Sequence, residues 1–158
     1  MKNPSLKKVL PLIITGLSIL ITLTIFLPAL SYDDVVVSGV EIAFGTTITD
    51  VDPFGFDITE IELEVSSYAI AAYFAPLIAG ILTFVFRTGN VFSLAMFAMS
   101  AVLFFTMSDN IHLLVDIAGN ETSENVDWTL DYGSVLAALF AIFAALAEML
   151  HISMTERS

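Results

Sequence analysis

The chain has 158 residues, a formal net charge of −12 from five basic and seventeen acidic residues, and no cysteine. Hydrophobic residues make up 57 % and charged ones 14 %, where a soluble domain carries about 25 % charged, and the mean hydropathy is +0.89. These figures exclude disulfides, thiolate metal sites and cysteine nucleophiles. They leave no basic patch for nucleic acid and point to one polytopic membrane unit, 1–158, with the lipid bilayer as its first partner.

Lys2, Lys7 and Lys8 precede an apolar run, which predicts a helix over about 9–30 that can cross a bilayer. Lys7-Lys8, an apolar core and Ala29-Leu30-Ser31 also fit a secretion signal. The core is longer than the roughly 7–15 residues of such signals, so a retained span is expected. Pro11 is expected in the first turn, where a missing N–H costs little. Thr15, Ser18 and Thr22 share one helical face. Their hydroxyls either bond back to their own helix or form a polar seam toward other helices.

Residues 33–66 are the one long polar segment between apolar runs, with nine acids and no Lys or Arg. Val35-Val36-Val37 is β-branched, and Val40, Ile42 and Phe44 alternate with Gly39, Glu41, Ala43 and Gly45, a strand signal. Ile61, Leu63 and Val65 alternate with Glu60, Glu62 and Glu64, giving a second strand with one apolar and one carboxylate face. Thr46 to Asp57, rich in Thr, Asp, Gly and Pro, reads as the turn between them. The expectation is a β-hairpin or small sheet, supported by helix ends or by a partner, because a lone hairpin is marginal in water.

The second span is predicted over 68–86, capped by Ser66 or Ser67 and kinked at Pro76. Ala72, Pro76 and Gly80 recur every four residues, as do Ala71, Ala75 and Ala79; small residues at this spacing let helices approach closely in lipid. The short turn Arg87-Thr88-Gly89-Asn90 sends the third span, 91–107, back antiparallel. Its helical pattern continues toward 118, with Asp109, His112 and Asp116 on one face; as a strand, Leu113, Val115 and Ile117 alternate instead. Residues 108–132 form an outer acidic loop, with Trp128 and Tyr132 suited to a membrane interface. The fourth span is predicted over 133–152. Gly133, Ala137, Ala141 and Ala145 make a stripe that looks central to helix packing.

Four spans put both termini on one side, together with all five basic residues. By the positive-inside rule that side is cytoplasmic, which leaves loops 31–67 and 108–132 outside with fifteen of the seventeen acids. The cell membrane is the expected location. The span order resembles that of claudin-type tetraspan proteins. The tryptophan and paired cysteines of the claudin first loop have no counterpart here, since the sole tryptophan is Trp128, so no residue role or junction function carries over.

Candidate chemistry is sparse. Asp50-Val51-Asp52-Pro53-Phe54-Gly55-Phe56-Asp57 partly fits a calcium loop, but Phe54 replaces an oxygen ligand and Ile61 stands where a bidentate Glu belongs. Asp50, Asp52, Asp57, Glu60, Glu62 and Glu64 are the candidate cation ligands, with solvated acids as the simpler reading and weak cation association as the alternative. Glu148 and His151, at i and i+3, are expected to meet near the cytoplasmic headgroups. A metal site of the bundle type needs two such pairs and further carboxylates. Asn120-Glu121-Thr122 fits a glycosylation triplet. No catalytic constellation, P-loop or dinucleotide motif is present, and no enzyme or cofactor is expected. The expectation is thus an antiparallel four-helix membrane bundle with a small outer β element. It would act as a non-enzymatic interaction, scaffold or accessory subunit, through a protein partner or self-association of the hairpin. The alternative is a subunit of a homo-oligomeric channel or transporter with a cation-attracting outer surface.

Overall fold

Pro4 opens the first helix, α1 (Pro4–Leu23), at the position where a residue without an N–H fits best. The computed structural model describes residues 4–32, 35–51, 58–117, 120–124 and 127–156. Because α1 starts before Lys7 and Lys8, Pro11 lies inside the helix rather than in its first turn. A 3₁₀ turn, Thr24–Phe26, leads into β1 (Pro28–Tyr32) and β2 (Val35–Ser38). Then come a short helix, α2 (Gly39–Phe44), and the strands β3 (Thr46–Val51) and β4 (Ile58–Leu63). The helices α3 (Ser67–Phe86) and α4 (Val91–Phe105) follow. A 3₁₀ turn, Ser108–Asn110, precedes β5 (Leu113–Ile117), β6 (Asn120–Glu124), β7 (Thr129–Leu130) and the last helix, α5 (Tyr132–Glu156).

The molecule is mostly helical. Three helical stretches, Lys8–Phe26, Ser67–Phe86 and Tyr132–Thr155, are long and apolar enough to cross a membrane; Val91–Phe105 is a shorter apolar helix. The four long helices form a ring in which α1 packs on α3, α3 on α4, α4 on α5 and α5 on α1. The last helix packs on α4 and α1 and also meets β1 and the first 3₁₀ turn. Large apolar residues point outward from all four, among them Leu12, Phe84, Val102 and Leu146, as a lipid-facing bundle requires. Inside, small residues dominate: Ala69, Ala72, Ala79, Ala137, Ala138, Ala141 and Ala144 are buried with Tyr73, Phe97 and Phe104.

Two antiparallel sheets lie at the end of the bundle opposite the termini. One has the order β2-β1-β7 and the other β3-β4-β5-β6. The first is seated on α5: Asp131 N–H and the Ser134 hydroxyl both donate to the Ala29 carbonyl, at 3.0 and 2.8 Å. Gly133 carries no side chain where a Cβ would run into the Pro28 carbonyl. Trp128 is buried here and meets Tyr32 edge-on, ring centroids 6.2 Å apart.

Three local expectations are corrected. Val40, Ile42 and Phe44 belong to α2 and not to a strand, because Ser38 and Glu41 make a reciprocal capping box. The Ser38 N–H reaches Glu41 Oε2 at 2.6 Å and the Glu41 N–H reaches Ser38 Oγ at 3.4 Å, so both first-turn donors are satisfied locally. Thr46–Val51, expected as turn, is strand β3 and pairs with β4 over its whole length. Residues 113–117, which the helical pattern favoured as helix, are strand β5, since β4 and β6 offer pairing on both sides. Between α2 and β3, Gly45 has φ +81°, and a Cβ there would stand 2.8 Å from the Leu63 carbonyl. Glycine is required at that corner.

Candidate functional site

The four-stranded sheet joins two loops that are far apart in sequence. β3 and β4 come from the loop before α3, β5 and β6 from the loop after α4, and the β4–β5 pairing unites them. Its registers sort the residues into two sets of alternate positions. In one set Ile48 stands opposite Ile61, Ile61 opposite Val115, and Leu63 opposite Leu113. In the other, Thr49 stands opposite Glu60, Glu60 opposite Asp116, and Asp116 opposite Glu121. The sheet therefore has one more apolar set, which also holds Asp50 and Glu124, and one more acidic set, which also holds Val51, Ile58 and Leu114; in the second, three carboxylate-bearing positions adjoin across three strands. Like charges directly opposite one another destabilise a ladder, which is a reason for such a surface to attract cations or a basic partner. β3 and β6 are the edges of this sheet, and unpaired strand edges are templates for further pairing.

Of the candidate cation ligands, Asp52 and Asp57 lie outside the described residues. Asp50 is in β3 opposite Thr59, and Glu60 is in β4. Glu62 is exposed, in β4 opposite Thr47 and Leu114, and Glu64 is exposed beyond the strand end. Asp109 sits in a 3₁₀ turn, His112 is exposed between that turn and β5, and Asp116 is in β5. Among the described residues no group of three or more His, Asp or Glu side chains could hold a metal ion. Leu63, on the apolar set, is buried in the core that the helices share, while Val65 is exposed just past it. The glycosylation triplet Asn120-Glu121-Thr122 lies in edge strand β6.

The hydroxyl seam of α1 does both things open to it. Thr15 Oγ1 donates to the Pro11 carbonyl at 2.8 Å and stands 3.1 Å from the Gly80 carbonyl. Thr22 does the same with the Ser18 and Tyr73 carbonyls, both at 3.1 Å. Ser18 bonds back to Thr15, and the absent Cβ of Gly80 leaves the room that Ser18 fills. From the other side α4 supplies Ser93 to the Ala79 carbonyl at 3.3 Å, and Ser100 to the Ala72 carbonyl. The last contact has a clear cause. Pro76 has no N–H to give to the carbonyl four residues before it, Ala72, and Ser100 provides the missing donor. Helix α3 is thus the member whose backbone is bonded from both neighbours. The packing stripe of α5 runs through Gly133, Ala137 and Ala141, all buried, to Ala145, which is half-buried.

Glu148 and His151 differ from the expected headgroup pair: both are buried. Glu148 Oε1 accepts the Asn90 N–H at 2.7 Å and Oε2 accepts the Thr83 hydroxyl at 3.2 Å. His151 Nδ1 stands 3.9 Å from Glu148 Oε2, beyond hydrogen-bond length. The carboxylate therefore ties α5 to the α3–α4 turn. Sequence spacing could not reveal this, because both donors come from a distant segment. No protein-family model, curated protein or solved structure matches the chain.

Proposed function

We propose that this is a four-span integral membrane protein of the cell membrane that acts as a non-enzymatic interaction or accessory subunit through its acidic outer sheet. The carrying observation is the β4–β5 pairing. It makes one four-stranded surface from two loops, richer in acids on one set of positions and in aliphatic residues on the other, where a lone hairpin would be marginal.

The same pairing supports the fourth crossing. β4 leads into α3 and β5 follows α4, so α3 begins at the end of the bundle where α4 finishes. A chain that crosses along α3 must return along α4, although α4 has only 15 residues, or about 22 Å of helix. With four crossings the basic residues share the side of both termini, which the positive-inside rule makes cytoplasmic. Residues 31–67 and 108–132 are then extracellular.

The chain has no cysteine, which makes the orientation simple to test. In intact cells a membrane-impermeant maleimide should label Glu62→Cys and not Lys8→Cys; the reverse pattern overturns the topology. For the function, the full chain is purified in mild detergent beside a Glu62→Lys/Glu64→Lys variant. A discrete stoichiometric partner, or a defined self-assembly, should accompany the native chain and be lost from the variant. A monodisperse monomer in both preparations would sink the proposal.

A further inference from the structure

A cleft of about 440 Å³ opens between α1 and α3 at the end of the bundle that carries the termini. It is lined by Lys8, Pro11 and Leu12 of α1 with Phe84 and Arg87 from the end of α3. The α1 residues fall at i, i+3 and i+4 and the α3 pair at i and i+3, so each helix turns one face to the cleft. We infer that this cleft is a binding site for one anionic phospholipid, its phosphate between Lys8 and Arg87 and its acyl chain along Leu12 and Phe84.

Four observations carry this. First, the two cations stand at matching depth: Lys8 begins the apolar stretch of α1, and Arg87 directly follows the apolar stretch of α3. On antiparallel neighbours that crossing the bilayer, this is the boundary where headgroup phosphates lie. Second, no salt bridge joins Lys8 or Arg87 to a described acidic side chain. Third, Leu12 and Phe84 are 59 % and 47 % exposed. They offer an apolar floor directly below the charges, and a ligand that satisfies both must be charged at one end and apolar along its length. Fourth, Arg87 caps α3 in the left-handed conformation, φ 52°, its N–H on the Thr83 carbonyl. Glycine normally fills that position, because any side chain strains it. Arg87 thus lines the cleft from a position where the backbone favours glycine. Arg offers phosphate a fork of parallel donors and Lys a mobile point charge, and basic pockets between membrane helices suit anionic headgroups.

The inference rests on the reading that α1 and α3 cross a bilayer, and the test separates the two. The full chain is purified in a neutral detergent, and its thermal midpoint is followed with phosphatidylglycerol, with phosphatidylcholine of the same acyl chains, and with inorganic phosphate. Phosphatidylglycerol should raise the midpoint well above phosphatidylcholine, and inorganic phosphate should leave it unchanged. Lys8→Gln with Arg87→Gln should weaken the apparent affinity for phosphatidylglycerol on the order of tenfold or more. Arg87→Gly guards against a folding artefact, since glycine suits the left-handed cap: it should lose lipid preference without losing basal stability. Equal effects of the two lipids, full activity of inorganic phosphate, or an unchanged preference in the double variant would overturn the site. Retention of the chain in membranes at alkaline pH checks the underlying reading. A chain that stays but shows no preference refutes the cleft alone, and a chain that is released refutes both.

Discussion

In the helical ring, cohesion comes from buried alanines and from hydroxyl groups that reach across to the backbone of α3. In the four-stranded sheet it comes from backbone ladders, and Leu63 of that sheet joins the shared core. The ring follows the rule for apolar surroundings: every carbonyl that loses its helical partner must find another, because lipid offers none. The sheet follows the rule for water, where exposed acids such as Glu62 are hydrated and polar substitutions are cheap. A change of one hydroxyl should therefore matter in the ring and hardly register in the sheet.

The sharpest test of that contrast is Glu148→Ala. It leaves the Asn90 N–H and the Thr83 hydroxyl without their acceptor, and should cost about 3 kcal/mol in denaturant unfolding of the detergent-solubilised protein. Glu148→Gln keeps one acceptor oxygen and should cost less than half as much. Next is Gly80→Ala, whose methyl group collides with Ser18. Overpacking of this kind costs about 1–3 kcal/mol, and adding Ser18→Gly should restore most of it. A Gly80→Ala chain as stable as the native one would break the close-approach account of the α1–α3 contact.

Ser100→Ala comes third. It removes the donor to the Ala72 carbonyl, and in the native background should cost about 1–2 kcal/mol. In a Pro76→Ala background the backbone again supplies a donor, and the same substitution should cost under about 0.5 kcal/mol. Equal costs in both backgrounds would show that the hydroxyl does not compensate for the proline. The smallest effect belongs to the sheet. Glu62→Gln, at an exposed strand position, should shift stability by no more than about 0.5 kcal/mol either way. A loss as large as that of Ser100→Ala would mean that the sheet is held by its side chains after all.

How much of this could be read beforehand differs between the same two regions. The apolar runs near 9–30, 68–86, 91–107 and 133–152 each overlap one of the four helices, because burial in an apolar medium depends on run length and composition, which are local; the end of the first run, expected as helix, is instead a 3₁₀ turn and strand β1, which pairs with β2 and β7. The helix ends moved: α1 begins before Lys7 and Lys8, and α4 stops at Phe105. Some missed signals were nonetheless present. Ser38 and Glu41 have capping-box spacing, and that short-range pair outweighed the period-two alternation of Val40, Ile42 and Phe44. The donor role of Ser100 follows from Pro76 only once both helices are side by side.

By itself, the sequence determined that this chain is built from apolar helices, that fifteen of its seventeen acids lie in two segments free of Lys and Arg, and that it carries no sulfhydryl chemistry. Charge and hydrophobicity are properties of segments, so they survive without a fold. The tertiary structure alone decided that two acidic loops become one sheet, that Glu148 closes the α3–α4 turn, and that Lys8 and Arg87 flank one cleft. Each of these joins residues that no local pattern links, and the pairing of strands or helices that creates them is a choice among many registers that only the packed chain makes.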